Sequence, residues 1–384
     1  MDYVQLLKDI ISIDTSVPPG LNYDKVIDYL EPHFKAVGFA TEKVYVPIEH
    51  ADGNEGRVNL VAHRREAGKP RLIIYGHIDV VPAQGWEAFK PKVLEGKIYG
   101  RGAADMKGGI AALLSGLEMV KAKPLRWDTT VILTTDEETG QASQLRYLAQ
   151  YLSPLSKAYF FNLDSSFGYV SVASLGALQM DIRVSGKSVH SAMSHRGDNA
   201  VEKATLLMAA LLKLKERVVK RQSKTAVHPL TGLSRMEARL NINMVCGGIK
   251  VNIVPDECLI SIDRRLIPEE NMDEAREEII KTLSSVKNVR WEIAKESTIP
   301  TVPPCQDPIV DEVAALIKEV TGASGKFGEM GSGDLPHIVA EWGGQEFSTG
   351  AIRADNNIHG RDEYVYQRDI EDLALIISRF LSGP

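Results

Sequence analysis

Residues 72–80 read LIIYGHIDV, an apolar run with little alternation that ends in a histidine and an aspartate. Such a run is typical of a central strand that is covered on both faces. Two further runs of this kind, 131–135 and 158–163, also lead into acidic residues. Because segments with helical spacing of apolar residues lie between these runs, the sequence predicts an α/β domain with a largely parallel central sheet flanked by helices.

The pattern changes in the middle of the chain, where residues 177–185 alternate like a half-exposed antiparallel strand. From there to residue 295 the order of candidate elements is strand, helix, strand, strand, helix, strand, which is the order of the ferredoxin-like α+β unit. A proline-rich linker follows, and after it apolar residues again recur at helical spacing. The sequence therefore predicts a discontinuous catalytic domain, 1–176 and 296–384, with a second domain inserted at 177–295.

The composition excludes several classes of protein. The chain of 384 residues has 45 Lys plus Arg against 51 Asp plus Glu, and this mild acidity argues against nucleic acid or an anionic membrane as a partner. No apolar run reaches the ~18 residues of a membrane-spanning helix. Three cysteines without a CxxC pair, and an N-terminus unlike a signal peptide, favour a cytoplasmic location.

Acidic and histidine side chains recur where the predicted strands end or just beyond, which is where open α/β sheets place their sites. Neutral imidazole and carboxylates are the ligands expected of zinc or a similar divalent ion. The carboxylates are too many for one tetrahedral ion, whereas two ions about 3.5–4 Å apart that share a bridging carboxylate would use them. The candidates are His77, Asp79, Asp105, Glu137, Glu138, Asp164 and His359.

Each of these signals is weak when taken singly. An HxD pair is often accidental, a Glu-Glu pair is usually a solvated helix start, and the glycine-rich residues 100–109 lack the spacing of a phosphate loop. Three strand ends that carry such residues in one half of the chain make coincidence a poor explanation.

A series of motifs along the chain resembles the co-catalytic metallopeptidase family of acetylornithine deacetylase, succinyl-diaminopimelate desuccinylase, aminoacylase-1 and the glutamate carboxypeptidases. Their order is the order found in that family. The motifs are GHIDVVP (76–82), GRGAADMKGG (100–109), DEETG (136–140), the strand end at Asp164, GKSVHSAMSHRGDNAV (186–201), GGIKVNIVPDECLISIDRR (247–265) and IHGRDEY (358–364).

The resemblance implies a zinc peptidase-like catalytic domain with an inserted dimerisation or lid domain. It also implies two divalent metal ions, most simply zinc, although cobalt and manganese accept the same ligands. His77, Asp105 and Asp164 would hold one ion. Asp105, Glu138 and His359 would hold the other, so that Asp105 is the bridge.

The resemblance further assigns three catalytic residues. Asp79 would hydrogen-bond the far nitrogen of His77 and so fix its tautomer. Glu137 would act as general base and acid, taking a proton from a metal-bridging water and returning it to the leaving nitrogen. His190, in the inserted domain, would donate to the oxyanion, and by analogy with the family it would do so from the partner subunit of a homodimer. An exposed polar loop residue is the alternative for His190.

Four positions match places that bind substrate in the resembled family. Asn252 and Arg265 would contact the substrate or its carboxylate, since arginine can hold a carboxylate through two parallel hydrogen bonds. An ion pair with a nearby acid is the alternative for Arg265. Gly333 and Gly350 would shape the floor of the substrate pocket.

These assignments predict a metal-dependent amidohydrolase that cleaves a small N-acyl amino acid, of the acetylornithine deacetylase or succinyl-diaminopimelate desuccinylase type. Asp164 departs from the Glu of those members and resembles several di- and tripeptidases, so a peptidase or carboxypeptidase acting on short peptides is the alternative. A third hypothesis is a non-catalytic binding protein on the same scaffold. Such a protein would usually have lost a ligand or the base, whereas all of the predicted ligands and the predicted base are present here.

Overall fold

The computed structural model describes residues 2–383, apart from the side chain of Ala340. The chain forms two compact units. The first contains the chain up to Val172, Cys305–Phe327 and the chain from Gly333 onwards, and the second contains Ala173–Pro304 and Gly328–Ser332. The last strand of the second unit continues to Ile299, past the predicted boundary at 295/296.

Most helices of both units are amphipathic and bury one face, whereas the helix Gly108–Val120 is buried on almost all sides. In chain order they are α1 (Tyr3–Ser12), α2 (Tyr23–Ala36), α3 (Gly108–Val120), α4 (Ala142–Leu152), α5 (Ala200–Val218), α6 (Met272–Ser284), α7 (Ile309–Thr321), α8 (Leu335–Trp342) and α9 (Gln367–Ser382). In the part of the chain that the structure covers, none of these helices has both the length and the apolar character needed to cross a bilayer.

The strands range from two to ten residues. In chain order they are β1 (Ala40–Tyr45), β2 (Val58–Arg64), β3 (Arg71–His77), β4 (Lys92–Leu94), β5 (Lys97–Tyr99), β6 (Asp128–Thr134), β7 (Tyr159–Asn162), β8 (Val170–Ser174), β9 (Gly176–Ser185), β10 (Val189–His190), β11 (Gln222–Ala226), β12 (Arg235–Glu237), β13 (Arg239–Gly247), β14 (Ile253–Val254), β15 (Glu257–Leu266), β16 (Arg290–Ile299), β17 (Lys326–Glu329), β18 (Gln345–Ser348) and β19 (Tyr364–Tyr366).

The central sheet has eight strands in the order β1-β2-β6-β3-β7-β18-β8-β17. Strands β6, β3, β7 and β18 are parallel, which confirms the predicted α/β class, whereas the pairs β1–β2, β2–β6 and β18–β8 are antiparallel. All seven residues of β3 are buried. Leu72 and Ile74 face one hydrophobic core, and Ile73 and Tyr75 face another on the opposite side of the sheet.

The second unit contains a four-stranded sheet in the order β13-β15-β9-β16. The β13–β15, β15–β9 and β9–β16 pairs are antiparallel. With α5 and α6 as the crossovers, this is the predicted β-α-β-β-α-β arrangement. Leu207, Leu211 and Leu214 of α5 share a core with Ile260 of β15 and Ile279 of α6.

The register of the parallel strands positions the candidate residues. His77 at the end of β3 is level with Thr134 at the end of β6, and Tyr75 is level with Asn162 at the end of β7. The carboxyl ends of these three strands therefore lie at the same edge of the sheet. The loops that follow them are brought together at that edge.

Candidate metal centre

Asp105 lies between the two histidines that the sequence predicts as metal ligands. Its Oδ1 is 3.3 Å from Nε2 of His77, and its Oδ2 is 3.2 Å from Nε2 of His359. Each carboxylate oxygen therefore faces a different imidazole. This is the arrangement that a bridging carboxylate requires.

Further carboxylates lie beside each imidazole. Oδ2 of Asp164 is 3.8 Å from Nε2 of His77, and Oε2 of Glu138 is 3.1 Å from Nε2 of His359. Two groups of side chains bring one potential ligand atom each to within 4.8 Å of one another, and these groups could hold two metal ions. They are His77, Glu137 and Asp164, and Asp105, Glu138 and His359.

The first of these groups differs in one member from the set that the resemblance implies. Glu137, expected to be the base, brings a carboxylate oxygen to within 4.8 Å of ligand atoms of His77 and Asp164, whereas Asp105 was expected in this group. Both carboxylates are close to His77, so geometry alone admits either as a ligand. The chemistry of both groups, imidazole with carboxylates, fits a divalent cation.

Asp79 is fully buried beside His77. Nδ1 of His77 is 3.1 Å from the main-chain oxygen of Asp79 and 3.4 Å from its carboxylate Oδ1, so the main-chain oxygen is the nearer acceptor. The other carboxylate oxygen of Asp79 accepts the backbone N–H of Glu138 at 3.1 Å. Asp79 therefore contacts one candidate ligand and the backbone of another.

The crowding of acids perturbs their protonation. Burial, with the charge of Asp105 next, raises the pKa of Asp164 to about 7. Burial also raises the pKa of Glu137 well above its ordinary value, and the nearby Asp164 and Asp105 add to this effect against the opposing charge of His77. Burial would likewise raise the pKa of Asp105, but hydrogen bonds with His359 and His77 outweigh it and lower this pKa.

The pKa values of the two histidines in the cluster are raised as well. Burial by itself would lower the pKa of His77, but the carboxylates of Asp105 and Asp79 raise it well above its ordinary value. The pKa of His359 is raised to about 10 by hydrogen bonds with Asp105 and Glu138. The carboxylates of the cluster thus favour positive charge beside them, and a divalent metal ion would supply such charge.

The turn that carries Glu137 and Glu138 is held by a buried acid that the sequence reading did not single out. Asp136, at a φ of 64°, accepts from Nε of Arg57 at 2.7 Å, from the hydroxyl of Tyr23 at 2.8 Å and from Nε2 of Gln144 at 2.9 Å. Tyr23 and Arg57 are remote in sequence and Gln144 lies in the helix that follows the turn, so no local pattern indicates the whole set of contacts. The only signal was the run of three acids in DEETG.

The two predicted pocket glycines have different surroundings. A Cβ added at Gly333 would lie 3.7 Å from Oε1 of Glu137, so this glycine is beside the predicted base. A Cβ at Gly350 would lie 2.2 Å from the main-chain oxygen of Ser165 and 2.3 Å from that of Leu163. The backbone on both sides of Asp164 thus requires glycine at position 350, and a substrate contact there stays a prediction.

His190 and Asn252 are adjacent in the second unit. His190 ends β10, which pairs with β14, and the neighbouring Ser191 donates its backbone N–H to the main-chain oxygen of Asn252 at 3.0 Å. Nδ1 of His190 accepts the backbone N–H of Ala192 at 3.2 Å. In its neutral form this imidazole therefore carries its proton on Nε2.

Arg265 forms an ion pair with a nearby acid, which was the alternative interpretation of this residue. Its Nε donates to Oδ1 of Asp263 at 2.8 Å, and its Nη1 donates to Oγ of Ser332 at 3.0 Å. The side chain is still 29% exposed. A pairing with Asp263 and a contact with a ligand are compatible at this exposure.

Glu346 is a buried acid behind the site. Its Oε1 accepts from Nδ2 of Asn162 at 3.3 Å, while its Oε2 meets no hydrogen-bond donor within residues 2–383. Asn162 in turn accepts the backbone N–H of Asp164 at 2.9 Å. Burial raises the pKa of Glu346 to about 7.

We expect Glu346→Gln to change the pH dependence of stability. Because the folded-state pKa of Glu346 is raised from 4.5 to about 7, the wild type loses stability as the pH rises across that range, by about 3 kcal/mol in total. The variant lacks this loss, so its free energy of unfolding relative to that of the wild type should increase toward pH 9. Denaturant unfolding from pH 4.5 to 9 measures the difference, and parallel curves for the two proteins would contradict the prediction.

The profile of Peptidase family M20/M25/M40 matches residues 73–383. The chain belongs to this family. The resemblance found in the sequence motifs is thereby confirmed, and the protein is an M20 hydrolase. Its two groups of histidine and carboxylate ligands are consistent with a dinuclear metal site.

Two curated relatives of this M20 protein carry the same name, probable succinyl-diaminopimelate desuccinylase, and come from two strains of Staphylococcus epidermidis. One is 28% identical over 347 residues, which cover 83% of this chain and 80% of the relative. The other is 31% identical over 294 residues, which cover 70% and 68%.

Solved structures of M20 type share the fold over nearly the whole chain. The aminopeptidase PepT from Bacillus cereus superimposes with a TM-score of 0.76 at 19% identity and covers 99% of this chain and 97% of its own. A tripeptidase from Staphylococcus aureus does so with a TM-score of 0.76 at 20% identity and the same coverage. At these identities the likeness establishes the fold alone.

Proposed function

We propose that this M20 hydrolase cleaves the amide bond of a small N-acyl amino acid with the help of two divalent metal ions. The observation that carries the proposal is the position of Asp105, whose two carboxylate oxygens face the imidazoles of His77 and His359 at 3.3 and 3.2 Å. A carboxylate shared in this way is suited to a pair of cations rather than to one.

In this proposal, His77, Asp105 and Asp164 hold one ion, and Asp105, Glu138 and His359 hold the other. Zinc is the proposed metal, with cobalt and manganese as substitutes that accept the same ligands. When bound, the two cations lower the pKa of water and polarise the substrate carbonyl. Asp79 orients His77 from the side of Nδ1, where its main-chain oxygen lies at 3.1 Å.

Glu137 is the proposed general base and acid. It takes a proton from the attacking water and returns it to the nitrogen of the departing amine. Its position beside His77 and Asp164 is supported by the short distances among their ligand atoms.

His190 is the proposed donor to the tetrahedral oxyanion. The contact between its Nδ1 and the backbone N–H of Ala192 leaves the proton on Nε2, as a hydrogen-bond donor must have it. Asn252, next to His190, and Arg265 are proposed to bind the substrate and its carboxylate, and Gly333 and Gly350 to shape the pocket floor. The partly exposed guanidinium of Arg265 supports its part in this.

A second candidate is a peptidase that acts on di- or tripeptides. The observation that favours it is Asp164, which stands where deacylases of the resembled family have Glu. The aminopeptidase and the tripeptidase among the structural neighbours share the fold but leave the substrate open. The curated relatives favour a deacylase instead, of the desuccinylase type.

A substrate panel separates these two candidates. Zinc-, cobalt- and manganese-loaded protein is assayed with N-succinyl- and N-acetyl-amino acids, including N-succinyl-diaminopimelate and N-acetylornithine, and with di- and tripeptides. We expect kcat/KM for an N-acyl amino acid to exceed that for the peptides by at least ~100-fold, a difference of about 2.7 kcal/mol in transition-state binding. Rapid peptide turnover without deacylation would exclude the first candidate and support the second.

We further propose that the protein forms a homodimer through its second unit and resides in the cytoplasm. Strand β13 lies at an edge of the four-stranded sheet, and Met244 and Val245 on it are exposed. Ile249 and Val251, in the turn that follows, are almost fully exposed. An apolar edge of this kind is suited to pairing with a second copy of the chain.

Hybrid dimers test whether His190 acts across subunits. We expect a mixture of inactive His190→Ala and Glu137→Ala proteins to recover about one quarter of wild-type activity, because half of randomly paired dimers are hybrids with one intact site each. Native mass spectrometry verifies subunit exchange. Exchange without any recovery would show that each site is complete within one chain.

A further inference from the structure

We infer that Glu363 is a positioning residue that holds the candidate ligands Asp105 and His359 at the distance needed to share a metal ion. The inference deepens the proposed function and rests on it. Glu363 was not singled out in the sequence, although it lies four residues after His359 in IHGRDEY.

The carboxylate of Glu363 accepts four hydrogen bonds from the loop that carries Asp105. Its Oε2 accepts from Nη1 of Arg101 at 2.6 Å and from the backbone N–H of Gly102 at 3.0 Å. Its Oε1 accepts from the backbone N–H of Ala104 at 3.0 Å and from that of Asp105 itself at 3.2 Å. The side chain is 1% exposed, so water does not compete for these donors.

The loop needs this acceptor because the short helical turn that it forms at Ala103–Lys107 is interrupted at Asp105. Asp105, at φ −118° and ψ 94°, is not helical, and α3 begins only at Gly108. Backbone N–H groups that are buried before the start of a helix require a partner. A single carboxylate supplies it for Gly102, Ala104 and Asp105, and in doing so it fixes the direction in which the Asp105 side chain leaves the backbone.

Two further hydrogen bonds connect this loop to the segment that carries His359. Nη2 of Arg101 donates to the main-chain oxygen of Gly360 at 3.1 Å, and the backbone N–H of Gly100 donates to the main-chain oxygen of Glu363 at 2.9 Å. The His359 side chain is 52% exposed and so has little packing of its own. Its distance to Asp105 depends on the connection through Arg101 and Glu363.

Only a carboxylate satisfies all four donors. Glutamine has nearly the same shape, but its NH₂ group would face N–H donors in place of one oxygen and leave two of them without an acceptor. The unpaired groups would move the loop, and with it Asp105. The group of Asp105, Glu138 and His359 contains ligands from both segments. The affinity for the ion that it holds should therefore fall more than the affinity for the ion beside His77 and Asp164.

Metal binding by the purified protein tests the inference without recourse to activity. Metal-free wild type, Glu363→Gln and Asp128→Asn are titrated with Zn²⁺ by calorimetry and with Co²⁺ by absorption spectroscopy. Asp128 is the matched control, because it is a carboxylate that pairs with Arg71 at 3.2 Å and accepts a backbone N–H from Glu66, but at the start of β6, the opposite end of the strand from Thr134.

We expect Glu363→Gln to bind the ion of the Asp105, Glu138 and His359 group 10- to 100-fold more weakly, since residues that orient ligands contribute on this scale. The affinity for the other ion, which shares Asp105 but not His359, should fall by a smaller factor. Asp128→Asn should retain both affinities. Arg101→Lys, which keeps the carboxylate but loses the contact with Gly360, should weaken the same ion by a smaller factor and serves as the test if Glu363→Gln does not fold.

Two results would overturn the inference while leaving the proposed function intact. The first is wild-type affinity for both ions in Glu363→Gln, or in Arg101→Lys where that variant serves as the test. The second is an equal weakening of both ions that Asp128→Asn reproduces in proportion to its loss of unfolding stability. A wild type that binds no divalent ion would instead overturn the proposed function itself.

Discussion

Replacing Glu137 with alanine is expected to lower kcat by roughly 10²–10⁴ while the protein retains both metal ions. This is the usual contribution of a positioned general base. The adjacent Glu138 supplies a matched control, because it is also a carboxylate on the same short turn but lies 3.1 Å from Nε2 of His359. Glu138→Ala should therefore lose metal as well as activity.

Metal content by mass spectrometry and single-turnover kinetics distinguish the two variants. The comparison is sharp because Glu137 lies close enough to His77 and Asp164 to be a ligand itself. If Glu137→Ala loses an ion, then Glu137 is a ligand and the base must be sought elsewhere. Glu137→Gln, which keeps the size of the side chain, checks that lost activity is not due to a collapsed pocket.

Removal of the metal ions is expected to abolish hydrolysis, by at least ~100-fold, and to destabilise the fold. The cluster draws several carboxylates together, and burial and their mutual repulsion already raise the pKa of Asp164 and of Glu137. Ions that bind only the folded state, at a concentration 1,000 times their Kd, contribute about 4 kcal/mol to its stability. The chelated protein should thus unfold at a lower temperature.

Dialysis against a chelator, followed by activity assays and calorimetry before and after adding zinc, cobalt or manganese, measures both effects. A control dialysed without chelator accounts for losses during handling. Hydrolysis that continues unchanged after exhaustive chelation would contradict a metal-dependent mechanism. Restoration by only one of the three metals would identify the ion that the site prefers.

The sequence predicted the fold best where a segment is buried on both sides. The run 72–80 has no polar face, and it predicted a central strand correctly because both of its sides lie against hydrophobic cores. The polar residues after Ile293 resemble a loop, yet they belong to strand β16, which runs past the expected end of the inserted domain at 295 to Ile299. They continue the strand by pairing with β9 beyond an irregularity between Ile293 and Lys295.

The candidate ligands were predictable because each follows a strand or stands in a motif. The residues that hold them in place were not predictable, because their partners are remote. Asp136 is bound by Arg57 and Tyr23, and Glu363 by backbone groups of residues 102–105. Backbone groups leave no trace in a sequence, so a carboxylate that binds them looks like any other acid.

The order of the ligands along the chain has a consequence for biosynthesis. Asp105 and Glu138 precede His359 by more than 200 residues. Until the ribosome has synthesised His359, the proposed Asp105, Glu138 and His359 group is incomplete. The ion that this group is proposed to hold can therefore bind only after residue 359 has been added to the chain.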